Sequence, residues 1–263
     1  MSDFKEILGI ASVEELRESA KNYRKSNGIG CALCNYSGYT TTMTGKAALC
    51  SCQREKFLKE LYAKANVPKK FYGKTVDDWN TRTDSDGNDL GVQQSTSEKI
   101  FIFLNFYNKH LKKITNGKIL RLRHAGNTIS NVHSLMFEGN IGSGKTFIAA
   151  VLVQSAIKQG LTAKYYDWSE ILDTITDFNK KDEADILTEE FKNLDFIAID
   201  GIESYNNSHS SFIQNLDRIS KARLHSGKPT VLLSIGNANQ ISVGSGWNSL
   251  LRNCLTIRLP HIK

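Results

Sequence analysis

Residues 139–146 read GNIGSGKT and match the pattern G-x-x-x-x-G-K-[ST] in full. Glycines let the backbone fold into a nest whose N–H groups point at phosphate oxygens. Lys145 would then reach the β- and γ-phosphates, Thr146 would offer its hydroxyl to Mg²⁺, and the following helix would add its positive dipole end. The loop follows the apolar segment SLMFE and precedes a helical stretch, which disfavours a chance glycine turn. We therefore expect ATP and Mg²⁺ to bind here, with the nucleotide contacted by Gly139, Asn140, Ile141, Gly142, Ser143, Gly144, Lys145 and Thr146.

A second segment, DFIAID at 195–200, predicts a buried strand because only its two ends are polar. Ligands of open α/β sheets bind at the carboxyl ends of strands, so Asp200 is expected to hold Mg²⁺ through water. Most ATPases of this kind have an acid next, which polarises the attacking water, but this chain has Gly201 and then Glu203. Two interpretations stay open. Either Glu203 takes that role, or it is a solvated loop acid and ATP hydrolysis is slow.

Four of the five cysteines form the pattern C-x₂-C, fifteen residues, C-x-C: Cys31, Cys34, Cys50 and Cys52. Four thiolates in two close pairs suit a tetrahedral Zn²⁺ of the closed, structural kind, which leaves no position for a substrate. The alternative is four unrelated thiols. Cys254 lies in an apolar segment and is expected in the core.

The composition is that of an ordinary globular protein, with 40% hydrophobic and 23% charged residues in a chain of 263. A net charge of +7 suits a nucleic-acid partner without establishing one. No apolar run approaches the roughly 18 residues of a membrane span, and the N-terminus lacks a secretory pattern. We therefore expect a cytoplasmic protein without a membrane partner, in which cysteines bind metal or are buried rather than form disulfides.

Apolar strands alternate with helical stretches after residue 133, which predicts a parallel sheet with helices on both faces. The cysteine segment 31–52 and the polar segment 74–97 are expected to be loops, and 118–124 an irregular basic run. The predicted helices are 3–25, 53–66, 97–112, 146–159, 169–178, 183–193 and 210–225, and the predicted strands are 134–138, 162–168, 195–200, 230–235 and 254–259.

The order of these parts resembles that of bacterial and phage replicative-helicase loaders of the DnaC/DnaI type. The resemblance lies in CSCQREKFLKELYAKANVPKKFYGKTVDDW, SLMFEGNIGSGKTFIAA, AKYYDWSEILDTI, EEFKNLDFIAID and GKPTVLLSIGNAN, and so covers roughly residues 31–259. It implies an α/β fold, namely an AAA+ P-loop ATPase core with a parallel sheet flanked by helices, at 67–263. A small helical, zinc-binding module at 1–66 would precede it and grip the hexameric replicative DNA helicase.

The resemblance also implies residue roles. Gly139–Thr146 would be the Walker A loop and Asp200 the Walker B aspartate, while Asn237 would be the polar sensor of the γ-phosphate. Arg252 would be an arginine finger that reaches the ATP of a neighbouring subunit, which implies self-association through the AAA+ domain. The alternative for Arg252 is a surface arginine before an edge strand. Gly201 departs from the family pattern and implies a weak ATPase.

In such loaders, the helical insert after the second strand approaches single-stranded DNA. That insert contains Phe178, Lys180 and Lys181 here, and an aromatic ring beside lysines suits base stacking and phosphate neutralisation. The alternative is an apolar helix end with two solvated lysines. The basic run 118–123 is a second candidate surface.

The expected function is an ATP-binding helicase loader that places the helicase on single-stranded DNA during replication initiation, with Mg²⁺–ATP as a switch. The apolar N-terminal helical stretch would be a ligand for the helicase groove, or would pack on the zinc module. The alternatives are a transposition-helper AAA+ ATPase that acts with a transposase on DNA, and a P-loop kinase.

Overall fold

The computed structural model describes residues 13–81, 94–117, 120–124, 127–202, 210–235 and 244–259. The chain divides into two compact units, Met1–Leu61 and Tyr62–Lys263. The second unit therefore begins five residues earlier than the predicted boundary after residue 66. Its first residues pack within it, since Tyr62 lies edge-on against Tyr72 and the Ala65 carbonyl accepts a hydrogen bond from the Tyr165 N–H. The functional limits of the two domains stay a prediction.

In the first unit, one helix precedes a β-hairpin and a second helix, which continues beyond Leu61, follows it. The helices are α1 (Val13–Ser26) and α2 (Ser51–Lys64), and the antiparallel strands are β1 (Tyr39–Thr41) and β2 (Ala47–Leu49). A 3₁₀ turn, Ala32–Cys34, precedes the hairpin. The prediction of an unbroken loop over 31–52 is wrong, because strands of three residues are too short to show the alternation that identifies a strand. Residues 3–12 of the predicted first helix lie outside the described part of the chain.

The second unit begins with two 3₁₀ helices, Lys69–Phe71 and Val76–Thr81, and the long helix α3 (Gln94–Thr115). An antiparallel hairpin follows, formed by β3 (Leu120–His124) and β4 (Asn127–Val132). The basic run at 118–124 is therefore regular where it is described, since its arginines alternate with leucines in a strand.

A five-stranded sheet forms the centre of the second unit. Its order is β6–β7–β8–β5–β9, and all its neighbouring strands are parallel, which confirms the predicted sheet. The elements are β5 (Ser134–Glu138), α4 (Lys145–Lys158), β6 (Ala163–Asp167), α5 (Trp168–Thr176), α6 (Lys181–Asn193), β7 (Phe196–Ile202), α7 (Ser210–Ser226), β8 (Thr230–Ser234), α8 (Ser245–Arg252) and β9 (Cys254–Arg258).

Helices cover both faces of this sheet. Alternate strand residues such as Ile197, Ile199 and Leu232 share one core cluster with side chains of α5, α6, α7 and α8. Helix α4 contacts β6, β7 and β8, and its buried residues lie outside that cluster, so it covers the opposite face. Cys254 is half-buried and packs against the first cluster. Among the described helices, none combines the length and apolar character that a membrane span requires.

Candidate functional site

The loop between β5 and α4 has a backbone that only glycine fits at several positions. Gly142 and Gly144 have φ values of +84° and +91°, in the left-handed region that disfavours side chains. At Gly139, an added Cβ would lie 2.8 Å from the Ser143 Oγ and 3.1 Å from the Leu259 Cβ. The glycines of the motif are therefore required by the loop conformation, as its interpretation as a phosphate-binding nest predicts.

Lys145 is the first residue of α4, and its side chain turns back over this loop. It is 6% exposed, and its Nζ donates to the carbonyl oxygens of Gly139 at 2.6 Å and Asn140 at 2.7 Å. Burial lowers the pKa of Lys145, whereas the nearby charge of Asp200 raises it. The ammonium is thus held at the loop, where phosphate oxygens would offer stronger, charged acceptors.

Asp200 lies at the carboxyl-terminal end of β7, next to a local irregularity in its pairing with β8. The carboxylate is 7% exposed, and both of its oxygens accept hydrogen bonds. Oδ2 accepts from the Tyr165 hydroxyl at 2.8 Å, and Oδ1 accepts from the Gly201 N–H at 2.8 Å. Gly201 has a φ of +78°, so an acid at this position would be conformationally strained.

A second carboxylate, that of Asp167, lies on the strand next to Asp200. Asp167 ends β6 and is the direct register partner of Asp200, and both residues line the same cavity. The Asp167 Oδ1 accepts hydrogen bonds from the N–H and the hydroxyl of Ser169 and so caps α5. With the Thr146 hydroxyl in the same lining, the donors are oxygens, which Mg²⁺ prefers. The residues present therefore fit a magnesium ion.

The cavity has a volume of about 610 Å³, which suits a nucleotide. Several lining residues belong to segment 70–78, which precedes the sheet in the chain, and no sequence pattern predicted them as part of the nucleotide site. Asp167 and Ile235 were also missed. The lining consists of Lys70, Phe71, Lys74, Asp78, Ile141, Gly142, Gly144, Lys145, Thr146, Phe147, Asp167, Asp200, Gly201 and Ile235.

The fully buried Gln154 on α4 holds segment 70–78 beside the loop. Its Nε2 donates to the Phe71 carbonyl at 2.8 Å, and its Oε1 accepts from the Gly73 N–H at 2.8 Å. The Phe71 ring also packs edge-on against Phe147, with centroids 5.9 Å apart. A lone glutamine within an apolar helix was the available sequence signal, but its partners are about 80 residues away along the chain.

The remaining predicted site residues are not brought into this cavity within the described chain. Arg252 is exposed at the end of α8, where its Nη2 donates to the Ser249 Oγ at 3.3 Å. Lys180 ends a short 3₁₀ helix and is half-buried, while Lys181 begins α6 and is exposed. Glu203, Asn237 and the side chain of Phe178 lie outside the described part of the chain.

In the first unit, the four predicted cysteine ligands lie together. Their sulfur atoms all lie within 4.8 Å of one another, with separations of 4.0 Å for Cys31–Cys34, 3.7 Å for Cys31–Cys50 and 3.9 Å for Cys34–Cys52. Four sulfurs bound to Zn²⁺ at about 2.3 Å in a tetrahedron are roughly 3.8 Å apart. A disulfide would need about 2.05 Å. The donor set and its spacing fit zinc.

The environment of the sulfurs favours thiolate at two of these positions even without metal. A backbone hydrogen bond from Cys52 is the largest cause that lowers the pKa of Cys50. The backbone N–H groups of Cys31 and Gly38 each lie 3.3 Å from the Cys34 Sγ, and these hydrogen bonds lower the pKa of Cys34 to about 6. Burial raises the pKa of Cys52 to about 12. Zinc binding requires all four sulfurs to be deprotonated, so the ion would release protons on binding.

The cysteine cluster also occupies the place of a hydrophobic core. Within residues 21–61, whose side chains the structure describes, the buried residues are Cys34, Gly38 and Cys50. Large apolar side chains such as Leu33, Met43 and Phe57 are exposed instead. A small unit whose residues 21–61 bury no large apolar side chain needs another source of stability, and a metal ion is a common one.

Comparison with solved structures gives the class of fold. A DnaC helicase loader is 13% identical with a TM-score of 0.51, covering 73% of this chain and 100% of that one. A replication initiator DnaA bound to AMPPCP and single-stranded DNA is 12% identical with a TM-score of 0.50, covering 74% and 51%. DnaI is 12% identical with a TM-score of 0.49, covering 74% and 92%.

The chain spans about half the length of the DnaA chain that it matches. No protein-family description matches the chain, and no curated protein does. The parallel sheet and the glycine loop thus share the fold of the DnaC and DnaA structures, which fits a P-loop core of the AAA+ type. The predicted resemblance to DnaC/DnaI-type AAA+ proteins is confirmed at the level of the fold.

Proposed function

We propose that the protein is an ATP-binding helicase loader, which binds the hexameric replicative DNA helicase and places it on single-stranded DNA. The observation that carries the nucleotide part is one cavity of about 610 Å³ that joins Lys145, Thr146 and Asp200 at the carboxyl ends of β5 and β7. Bound Mg²⁺ would neutralise charge on the β- and γ-phosphates there. In the same cavity Lys145 would bind the phosphates, and Asp200 and Thr146 would hold the ion.

ATP would act mainly as a conformational switch and would be hydrolysed slowly. The position after Asp200 is a glycine with φ +78°, so this position does not supply the carboxylate that polarises water in most such ATPases. We therefore propose slow hydrolysis, in which the γ-phosphate favours one arrangement of subunits and its loss releases the helicase. Arg252, exposed at the end of α8, is available to reach the ATP of a neighbouring subunit.

Two observations support the loader over other AAA+ functions. A unit whose cysteine cluster fits zinc precedes the P-loop core, and the match to a DnaC helicase loader covers 100% of that loader chain. We propose that the first unit contacts the helicase and that Phe178, Lys180 and Lys181 contact single-stranded DNA. The DnaA structure, which contains AMPPCP and single-stranded DNA, is consistent with both ligands.

The test is co-purification of the protein with the replicative helicase of the same organism, in ATP, in ADP and without nucleotide. A complex whose amount depends on ATP is expected. Lys145→Ala should abolish ATP binding in calorimetry and remove the nucleotide dependence. Lys158→Ala is the matched control, because Lys158 is exposed at the far end of the same helix.

Each alternative has its own outcome in these experiments. Capture of a transposase in place of the helicase would support a transposition-helper ATPase. ATP binding that survives Lys145→Ala unchanged would contradict the nucleotide site itself. Rapid, DNA-independent ATP turnover by the isolated protein would contradict the slow switch, and phosphoryl transfer to a small substrate would indicate a kinase.

A further inference from the structure

The geometry points to Tyr165 as the positioning residue of the magnesium site, which holds the Asp200 carboxylate in the orientation that receives the ion. This inference rests on the Mg²⁺–ATP binding proposed above. Tyr165 is not part of the cavity lining, so it would act through Asp200 and not on the nucleotide.

The strand register places Tyr165, Asp167 and Asp200 on one face of the sheet. Tyr165 pairs with Ala198, and Asp167 pairs with Asp200. Since side chains alternate along a strand, all four of these residues project to the same side. Tyr165 is thus the diagonal neighbour of Asp200, at a separation that a long aromatic side chain spans.

The contact fixes the carboxylate from two sides. The buried Tyr165 hydroxyl binds Oδ2 and the Gly201 N–H binds Oδ1, each at 2.8 Å. A carboxylate oxygen has two lone pairs, so each oxygen keeps one for the hydration shell of a metal ion. With both oxygens anchored, the carboxylate cannot rotate away from that direction.

The Tyr165 hydroxyl is the donor in this contact, because a phenol O–H can donate whereas an ionised carboxylate only accepts. Hydrogen-bond partners of metal ligands commonly contribute about 10- to 100-fold in metal affinity, because they orient the ligand.

The chain offers a matched control at the next residue. Tyr166 is also buried, and its hydroxyl donates to the Glu190 Oε2 at 2.7 Å. Tyr166 belongs to the core cluster on the opposite face of the sheet from Tyr165. Tyr166→Phe thus removes one buried tyrosine hydroxyl bonded to a carboxylate, as Tyr165→Phe does, without touching Asp200.

The experiment measures the affinity for ATP by calorimetry in Mg²⁺ and in EDTA, for the wild type and both variants. The ratio of the two affinities reports metal coupling, and thermal unfolding reports folding. For Tyr165→Phe we expect this ratio to fall about tenfold, while the affinity in EDTA stays unchanged. Tyr166→Phe should keep the wild-type ratio.

The possible failures are distinguishable. A wild-type protein whose ATP affinity does not depend on Mg²⁺ would refute the proposed metal site, and this inference with it. A wild type that depends on Mg²⁺, together with an equal or larger ratio in Tyr165→Phe, would refute the positioning role alone. An equal fall in both variants would also refute it, because the effect would then be one of general stability.

Discussion

Removal of zinc should unfold the first unit and leave the second intact. The perturbation is either a strong chelator or the substitution Cys34→Ser, which deletes a buried ligand whose pKa is lowered to about 6. The expectation follows from where the first unit buries its atoms. Cys34 and Cys50 are the buried side chains larger than a hydrogen atom within residues 21–61.

The loss of stability expected on removal of zinc follows from how few side chains are buried within residues 21–61. A fully buried aliphatic or aromatic side chain contributes about 1.5–3 kcal/mol, and residues 21–61 have none. Structural zinc in small zinc-finger peptides contributes roughly 10–16 kcal/mol of folding free energy near neutral pH. Loss of the ion therefore removes more free energy than hydrogen bonds of the short hairpin can supply. The second unit keeps its own apolar core around the parallel sheet.

Elemental analysis of purified protein should give about one zinc per chain, as expected for one Cys₄ site. Trypsin digestion with and without chelator then locates the unfolding. After chelation we expect rapid cleavage at exposed basic residues of the first unit, such as Lys46 and Lys56, with survival of a fragment that contains the sheet. Cys254→Ser is the control, since Cys254 lies in β9 outside the cluster.

Metal-free protein whose first unit still resists trypsin would refute this reasoning. Cys34→Ser with a full zinc complement would do the same. Loss of zinc in Cys254→Ser would show that zinc binding responds to general destabilisation.

Two further substitutions test contacts that fix the second unit. Gln154→Leu should lower the free energy of unfolding by about 2–4 kcal/mol, because the Gly73 N–H and the Phe71 carbonyl lose their buried partner. Segment 70–78 lines the cavity outside the phosphate loop, so we expect it to contact the nucleoside of ATP. The variant should therefore weaken ATP binding more than tripolyphosphate binding in calorimetry, and equal losses would contradict that contact. Arg223→Met should cost at least about 3 kcal/mol in urea denaturation, with ATP affinity of the folded protein unchanged. A variant as stable as the wild type would contradict that estimate, since the buried Arg223 donates to Phe191, Leu194, Asp195, Pro229 and Thr230.

Local pattern determined the parts of this protein that depend on a few consecutive residues. The glycine loop could be predicted because the positive φ values at Gly142 and Gly144 suit glycine alone. The strand that ends at Asp200 could be predicted because a buried parallel strand is continuously apolar. The four cysteines were predicted as one site because a tetrahedral ion needs ligands in close pairs.

Tertiary structure decided what depends on residues far apart in the chain. The contact between Tyr165 and Asp200 follows from the register of β6 on β7, and no local pattern encodes that register. Gln154 meets Gly73 only because α4 packs beside a segment 81 residues earlier. The sequence therefore determined which groups fit phosphate and zinc, whereas the packing of distant elements decided which side chains hold those groups in place.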